Sequence, residues 1–227
     1  MSMALSKWKQ YLPKIIWGII GLACALFLIR VAVWENNYYH EKEGSERAVS
    51  SISTPDIEVD ETDVTEDDLS NYKVAADRPR FLIIEKLNVK ARVLEIGINN
   101  KGELATPTGI FDAGWYYASS KPGMGGTVLI DGHNGGPTKT GIFKHTPELK
   151  KDDIIKIERG DGMIFSYAVI DNISVPLQES DDYMAIAATS PEPGKESLTI
   201  ITCTGEWSQA QRTYLSRQFT RAVLVQE

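Results

Sequence analysis

From Pro79 onward the chain is cut into short runs rich in Val and Ile, each closed by Gly, Asn or Asp. This spacing constrains the fold more than any other feature. The runs are "RFLIIEKLNVKARVLEIGIN", "GTVLIDGHN" (126–134), "DIIKIERGDG" (153–162), "MIFSYAVIDNISV" (163–175), "SLTIITC" (197–203) and "RQFTRAVLV" (217–225). Runs of this length and β-branched content read as strands, and Gly160-Asp161-Gly162 reads as the tight turn of a hairpin. Only two stretches, 141–149 and 181–189, have a helical texture, and both are short. Seven or eight strands over roughly 150 residues predict an all-β barrel or sandwich.

The chain before Pro79 has a different character. Ile15 to Trp34 is a twenty-residue apolar run interrupted only by Arg30. As a helix it would rise about 30 Å, the thickness of a bilayer's hydrocarbon core. Residues 1–34 carry four basic side chains and no acidic one, and the three lysines among them precede the run. The positive-inside bias therefore predicts a single-pass plasma-membrane anchor, with the N-terminus cytoplasmic and the remainder outside. A cleaved signal peptide would have a shorter apolar region ending in small residues, whereas this run continues through Leu26, Phe27, Leu28 and Ile29. Residues 35–78 hold thirteen acidic against four basic side chains, and 79–227 hold eighteen against sixteen. The acidity belongs to 35–78, which reads as a flexible tether with little apolar surface to bury. The expected organisation is anchor 1–34, tether 35–78 and extracytoplasmic domain 79–227. No basic footprint of a nucleic-acid binder is present.

Within 79–227 the reactive inventory is small. Cys203 ends the run "SLTIITC", and the other cysteine, Cys24, lies in the expected membrane span, so no disulfide is predicted. His133 follows "TVLID" in the same way, where a buried strand opens into a loop. A thiol and an imidazole at the ends of two core strands fit a Cys–His nucleophilic pair. His145, beside Lys144, reads as a surface residue. One cysteine and two histidines at these spacings match no zinc pattern, and no calcium-ligand spacing stands out, so neither a metal nor a cofactor is expected. An arginine could stabilise charge developing on an acyl oxygen. Arg212, Arg217 and Arg221 are the candidates, and spacing leaves them nearly equal. Strand parity puts Arg217 and Arg221 on one face with Phe219 and Val223.

Four segments in order resemble the sortases, the cysteine transpeptidases of the bacterial cell envelope. "TIITC" is similar to their TLxTC motif, with Ile200 in place of leucine. "LIDGHN" resembles the segment carrying their essential histidine, with Asn134 where arginine is frequent. "GWYYASSKPGMGG" (114–126) resembles the approach to that strand, and "RQFTRAVLV" resembles the last strand, which opens on the essential arginine. The resemblance implies an eight-stranded β-barrel with one or two short helices. It implies that Cys203 attacks an LPxTG-like sorting signal on a secreted protein and forms a thioacyl enzyme. An amine from a peptidoglycan precursor or a pilin lysine then resolves it. It assigns acid–base work to His133 and oxyanion stabilisation to Arg217, and it places Thr202 and Asn134 against the substrate. The subclass is left open, with the end at Glu227 favouring single-anchor types. The competing expectations are a thiol peptidase that only hydrolyses, and a non-enzymatic barrel that binds wall or peptide ligands with Cys203 packed.

Overall fold

The computed structural model describes residues 59–100 and 102–226. The expected membrane span, Ile15–Trp34, and the tether as far as residue 58 lie outside the described residues. Among the described residues, no helix is long and apolar enough to cross a membrane.

Eight strands close into a barrel. They are β1 (Pro79–Ile84), β2 (Val89–Ile96), β3 (Ala113–Tyr116), β4 (Thr127–Gly132), β5 (Ile154–Arg159), β6 (Ile164–Pro176), β7 (Ser197–Ser208) and β8 (Thr213–Gln226). Around the barrel the order is β1-β2-β3-β4-β7-β8-β6-β5. Pairing is parallel between β2 and β3 and between β4 and β7, and antiparallel elsewhere. The Gly160–Gly162 turn joins β5 to β6 as expected, with Gly162 at φ +88°. Strand β3 is the one that periodicity does not announce, because four residues are too few to show a period.

Strand alternation sends Leu82, Ile84, Val128, Ile130, Ile155, Ile157, Leu198 and Ile200 into the barrel, where they pack with Tyr167 and Phe143. A second cluster, of Val175, Ala187, Ile201 and Phe219, lies on the outer wall. It sits under helix α2 (Leu177–Ala187), which crosses from β6 to β7, and Tyr183 of that helix packs at a tilt against Phe219, with 4.8 Å between ring centroids. From Ser197 to Thr202, β7 is therefore buried on both faces, and burial relaxes at Cys203. A strand covered on both sides must be apolar without interruption, which accounts for the run leading into the cysteine.

Two helical expectations need correction. The stretch 141–149 contains only a 3-10 turn, Thr146–Glu148, because Pro147 offers no amide donor to continue a helix. The second helix begins at Leu177 rather than near 181, directly after Pro176.

The tether also ends earlier than its composition implies. Residues 59–78 pack on the barrel and include α1 (Glu66–Asn71). Thr65 and Asp68 form a reciprocal capping box at its start, and Leu69 is buried. Asp60 forms a bridge with Gly109, and the Tyr72 hydroxyl donates to the Val93 carbonyl at 2.6 Å. Glu61 accepts from the amides of Thr138 (2.7 Å) and Lys139 (2.8 Å) and from the Thr138 hydroxyl. Three of the acidic side chains that make this segment look like solvated spacer, Asp60, Glu61 and Asp68, are here acceptors for particular backbone amides.

Candidate active site

The geometry follows from three neighbouring strands, β4, β7 and β8. Parallel pairing sets Leu129 beside Thr199, Ile130 beside Ile200 and Asp131 beside Ile201. Continued two residues beyond its last pair, this register brings His133 to the level of Cys203. Two hydrogen bonds carry the pairing past the end of β4. The Thr202 hydroxyl donates to the Gly132 carbonyl, and the Asn134 carboxamide donates to the Cys203 carbonyl, both at 2.8 Å. On the other side, Cys203 is the direct antiparallel partner of Arg217, which places their Cβ atoms about 5 Å apart. Because Ile130, Ile200 and Ala222 face the barrel interior, Asp131, His133, Cys203 and Arg217 share the outer face.

Each group is conditioned by its surroundings. Burial pushes the Cys203 thiol above its ordinary value; Arg217 opposes that rise and Asp131 adds to it. Burial lowers His133, against the effect of its bond to Pro107. The His133 Nε2 lies 2.6 Å from the Pro107 carbonyl. A carbonyl only accepts, so Nε2 carries the proton and Nδ1 is the basic nitrogen of the neutral ring. At neutral pH the resting pair is thus a thiol and an imidazole.

The three arginines are separated by what their guanidinium groups contact. Arg217 donates from Nη1 to the carbonyls of Tyr214 (3.1 Å) and Ser216 (3.2 Å), and from Nη2 to the Thr213 hydroxyl (3.3 Å). Among the described residues it forms no salt bridge, so its charge is not neutralised by a bonded carboxylate. Arg221 shares its face but is buried, bridging Asp171 at 3.1 Å and donating to the Thr189 carbonyl at 3.1 Å. It holds the chain after α2 to the barrel wall. Arg212 is exposed in the β7–β8 turn at φ 52°. His145 is exposed and contacts Glu148 at 2.7 Å.

The two residues expected against the substrate, Thr202 and Asn134, are both buried. Thr202 is 2% exposed and bonded across to β4. Neighbours on a strand face opposite ways, so with Cys203 outward Thr202 points inward. Asn134 is 6% exposed and holds the Cys203 backbone instead of facing a groove. One residue escaped sequence reasoning altogether, Asp131. Burial raises its carboxyl to about 7, partly offset by a hydrogen bond from Thr106 and by Arg217. Its one available sign was a lone charged side chain in "GTVLIDGHN". Among the described residues no group of three or more His, Cys, Asp or Glu is placed to hold a metal ion.

A family model, the Sortase domain, matches residues 82–225. No curated protein matches the chain by sequence. Among solved structures, a Clostridium perfringens Sortase D5 transpeptidase is similar at 21% identity and a TM-score of 0.47, covering 71% of this chain and 89% of that one. Sortase C of Streptococcus pneumoniae is similar at 17% identity and a TM-score of 0.49, with coverage of 81% and 85%. Sortase C-1 of Actinomyces oris is similar at 18% and 0.49, with coverage of 85% and 99%.

Proposed function

The chain belongs to the sortase family, the cysteine transpeptidases, and from that membership we propose that it is a membrane-anchored enzyme joining secreted proteins to a cell-envelope amine. The observation that supports the reading is that Cys203 is the cross-strand partner of Arg217, while the carboxamide of Asn134, the residue after His133, donates to the Cys203 carbonyl.

Cys203 Sγ, after losing its proton to the His133 imidazole, attacks the threonyl carbonyl of an LPxTG-like sorting signal. The carbonyl π electrons move onto oxygen, and the Arg217 guanidinium stabilises that charge. Collapse breaks the C–N bond to glycine. The imidazolium protonates the leaving amine, and a thioacyl enzyme remains. An acceptor amine, from a peptidoglycan precursor or a pilin lysine, attacks the thioester and gives its extra proton to His133. Expulsion of the Cys203 thiolate completes the amide. Because burial favours both neutral partners, proton transfer to His133 coincides with substrate arrival rather than preceding it.

The apolar run Ile15–Trp34 supports placing the enzyme in the plasma membrane with its barrel outside. The test is a labelled LPxTG-type peptide incubated with an amine acceptor, using the wild type and Cys203→Ala. An amide product that requires Cys203 is expected. Cleavage surviving in the alanine variant would refute the assignment, and a wild type that yields only hydrolysed peptide with every amine supplied would mark a peptidase.

A further inference from the structure

One ionisable group at the site, half-buried with one fully buried oxygen, has no role in the mechanism above. Asp131 lies on the outer face of β4, two residues before His133, and is the register partner of Ile201, two residues before Cys203. Its carboxyl is diagonal to the thiol on the neighbouring strand, a separation that cross-strand side chains span. One carboxyl oxygen, Oδ1, is fully buried and has no hydrogen-bond partner. A buried unsatisfied oxygen is costly, and more so when it carries charge.

The groups around Asp131 can be named strand by strand. It interacts electrostatically with the Cys203 thiol of β7 and the Arg217 guanidinium of β8, and it accepts a hydrogen bond from the uncharged Thr106 hydroxyl of the β2–β3 loop. On its own strand, His133 follows two residues later. Arg217 is thus the one cation acting on both the thiol and the carboxyl.

We infer that Asp131 is a positioning residue whose charge state sets how much of the Arg217 guanidinium is left to the thiolate and the substrate. When neutral, the carboxyl makes no claim on Arg217, and the cation favours the Cys203 thiolate and the developing oxyanion. When ionised, the carboxylate attracts Arg217 and opposes a second negative charge on the adjacent sulfur. Burial holds the changeover near neutrality, at about 7. A fall in pH at the cell surface would therefore release Arg217 to the reaction, and a rise would withdraw it.

This role rests on Cys203 being the nucleophile, but its test needs no sorting-signal peptide. Iodoacetamide alkylation of the purified full-length protein, followed as the mass of the Cys203 peptide so that Cys24 does not contribute, reports thiolate formation across pH. Asp131→Asn is expected to lower the midpoint of that profile by about one pH unit, making alkylation below the midpoint roughly tenfold faster. Coincident midpoints, or a higher midpoint in the variant, overturn the role. Should that variant not fold, carbon-13 NMR of labelled aspartate carboxyls in the wild type and in Arg217→Ala addresses the same point. One carboxyl is expected to titrate near neutral pH and to move higher without Arg217. The absence of such a carboxyl, or its indifference to Arg217→Ala, overturns the role equally. Failure in the peptide assay leaves these readouts unaffected, so the two readings fail separately.

Discussion

Cys203 and Arg217 face each other directly across β7 and β8, at the level where the outer wall of the barrel emerges from under α2. Four residues further along β8, Arg221 occupies the same face but lies beneath the chain that follows the helix, paired with Asp171. Replacing the two arginines should therefore have opposite signatures. Arg217→Ala should reduce transpeptidation by about a hundredfold or more, the scale of losing an oxyanion donor, with little change in melting temperature. Arg221→Ala should lower stability by about 2–3 kcal/mol through loss of charge-assisted bonds and leave residual activity in the folded fraction. Equal and mild losses in both variants would mean that the arginine is misplaced.

The thiol is raised by burial and lowered by Arg217, which makes its reactivity a sensitive reporter. Alkylation of Cys203 should increase with pH up to and beyond the ordinary thiol range. In Arg217→Ala the thiolate loses its cation, so the midpoint of the profile should move to higher pH. Alkylation below the midpoint should then slow roughly tenfold for every pH unit that the midpoint rises. A profile that moves to lower pH would contradict the arrangement.

Asp131 also bears on stability, and the sign is definite. Its folded value of about 7 lies above the ordinary 3.8, so between those values the native state binds more protons than the unfolded chain. Stability from this group is full below the unfolded value and declines as pH rises towards 7. Asp131→Asn should then melt higher than the wild type at pH 8, with the difference shrinking towards pH 4, measurable by thermal denaturation across that range. His133 acts in the opposite direction. Its folded value is depressed by burial, so its contribution is present above the unfolded value and lost as pH falls through the histidine range.

Asn134 donates to the Cys203 carbonyl from a buried position. Asn134→Ala removes that donor and leaves the carbonyl without it, at a stability cost of about 1–3 kcal/mol. Turnover should fall by about tenfold or more through displacement of Cys203, while the KM for a sorting-signal peptide changes little. A large rise in KM with kcat preserved would restore the expected substrate contact.

The latch formed by Glu61 on the loop after His133 predicts a local effect. Glu61→Ala should expose the 59–78 segment to limited proteolysis while the barrel core stays resistant. Equal proteolysis of variant and wild type would show that other contacts hold the segment.

Much of the fold was legible in the spacing of apolar runs, because a strand buried on one or both faces must repeat or sustain its apolar residues. The short strand β3 was not, since Ala113–Tyr116 is too brief to carry a period. The docked segment 59–78 was hidden by its acidity, because composition cannot distinguish a solvated carboxylate from one accepting a chosen amide. Cys203 and His133 stood out through scarcity and through their position at the ends of apolar runs, although β7 itself continues past Cys203 to Ser208. Resemblance, more than residue chemistry, separated Arg217 from its two neighbours.

The sequence by itself determined that a thiol would close one sustained apolar run, that a histidine would follow another, and that these runs would belong to a β-rich domain. Only the tertiary structure decided that those two runs lie side by side and in parallel, with β8 on the far side of β7. It likewise decided that Arg221 is bound to Asp171, that Thr202 points inward, and that Asp131 joins the site. These outcomes depend on strand order and register, which are set by contacts between residues distant in the chain and leave no local pattern in it.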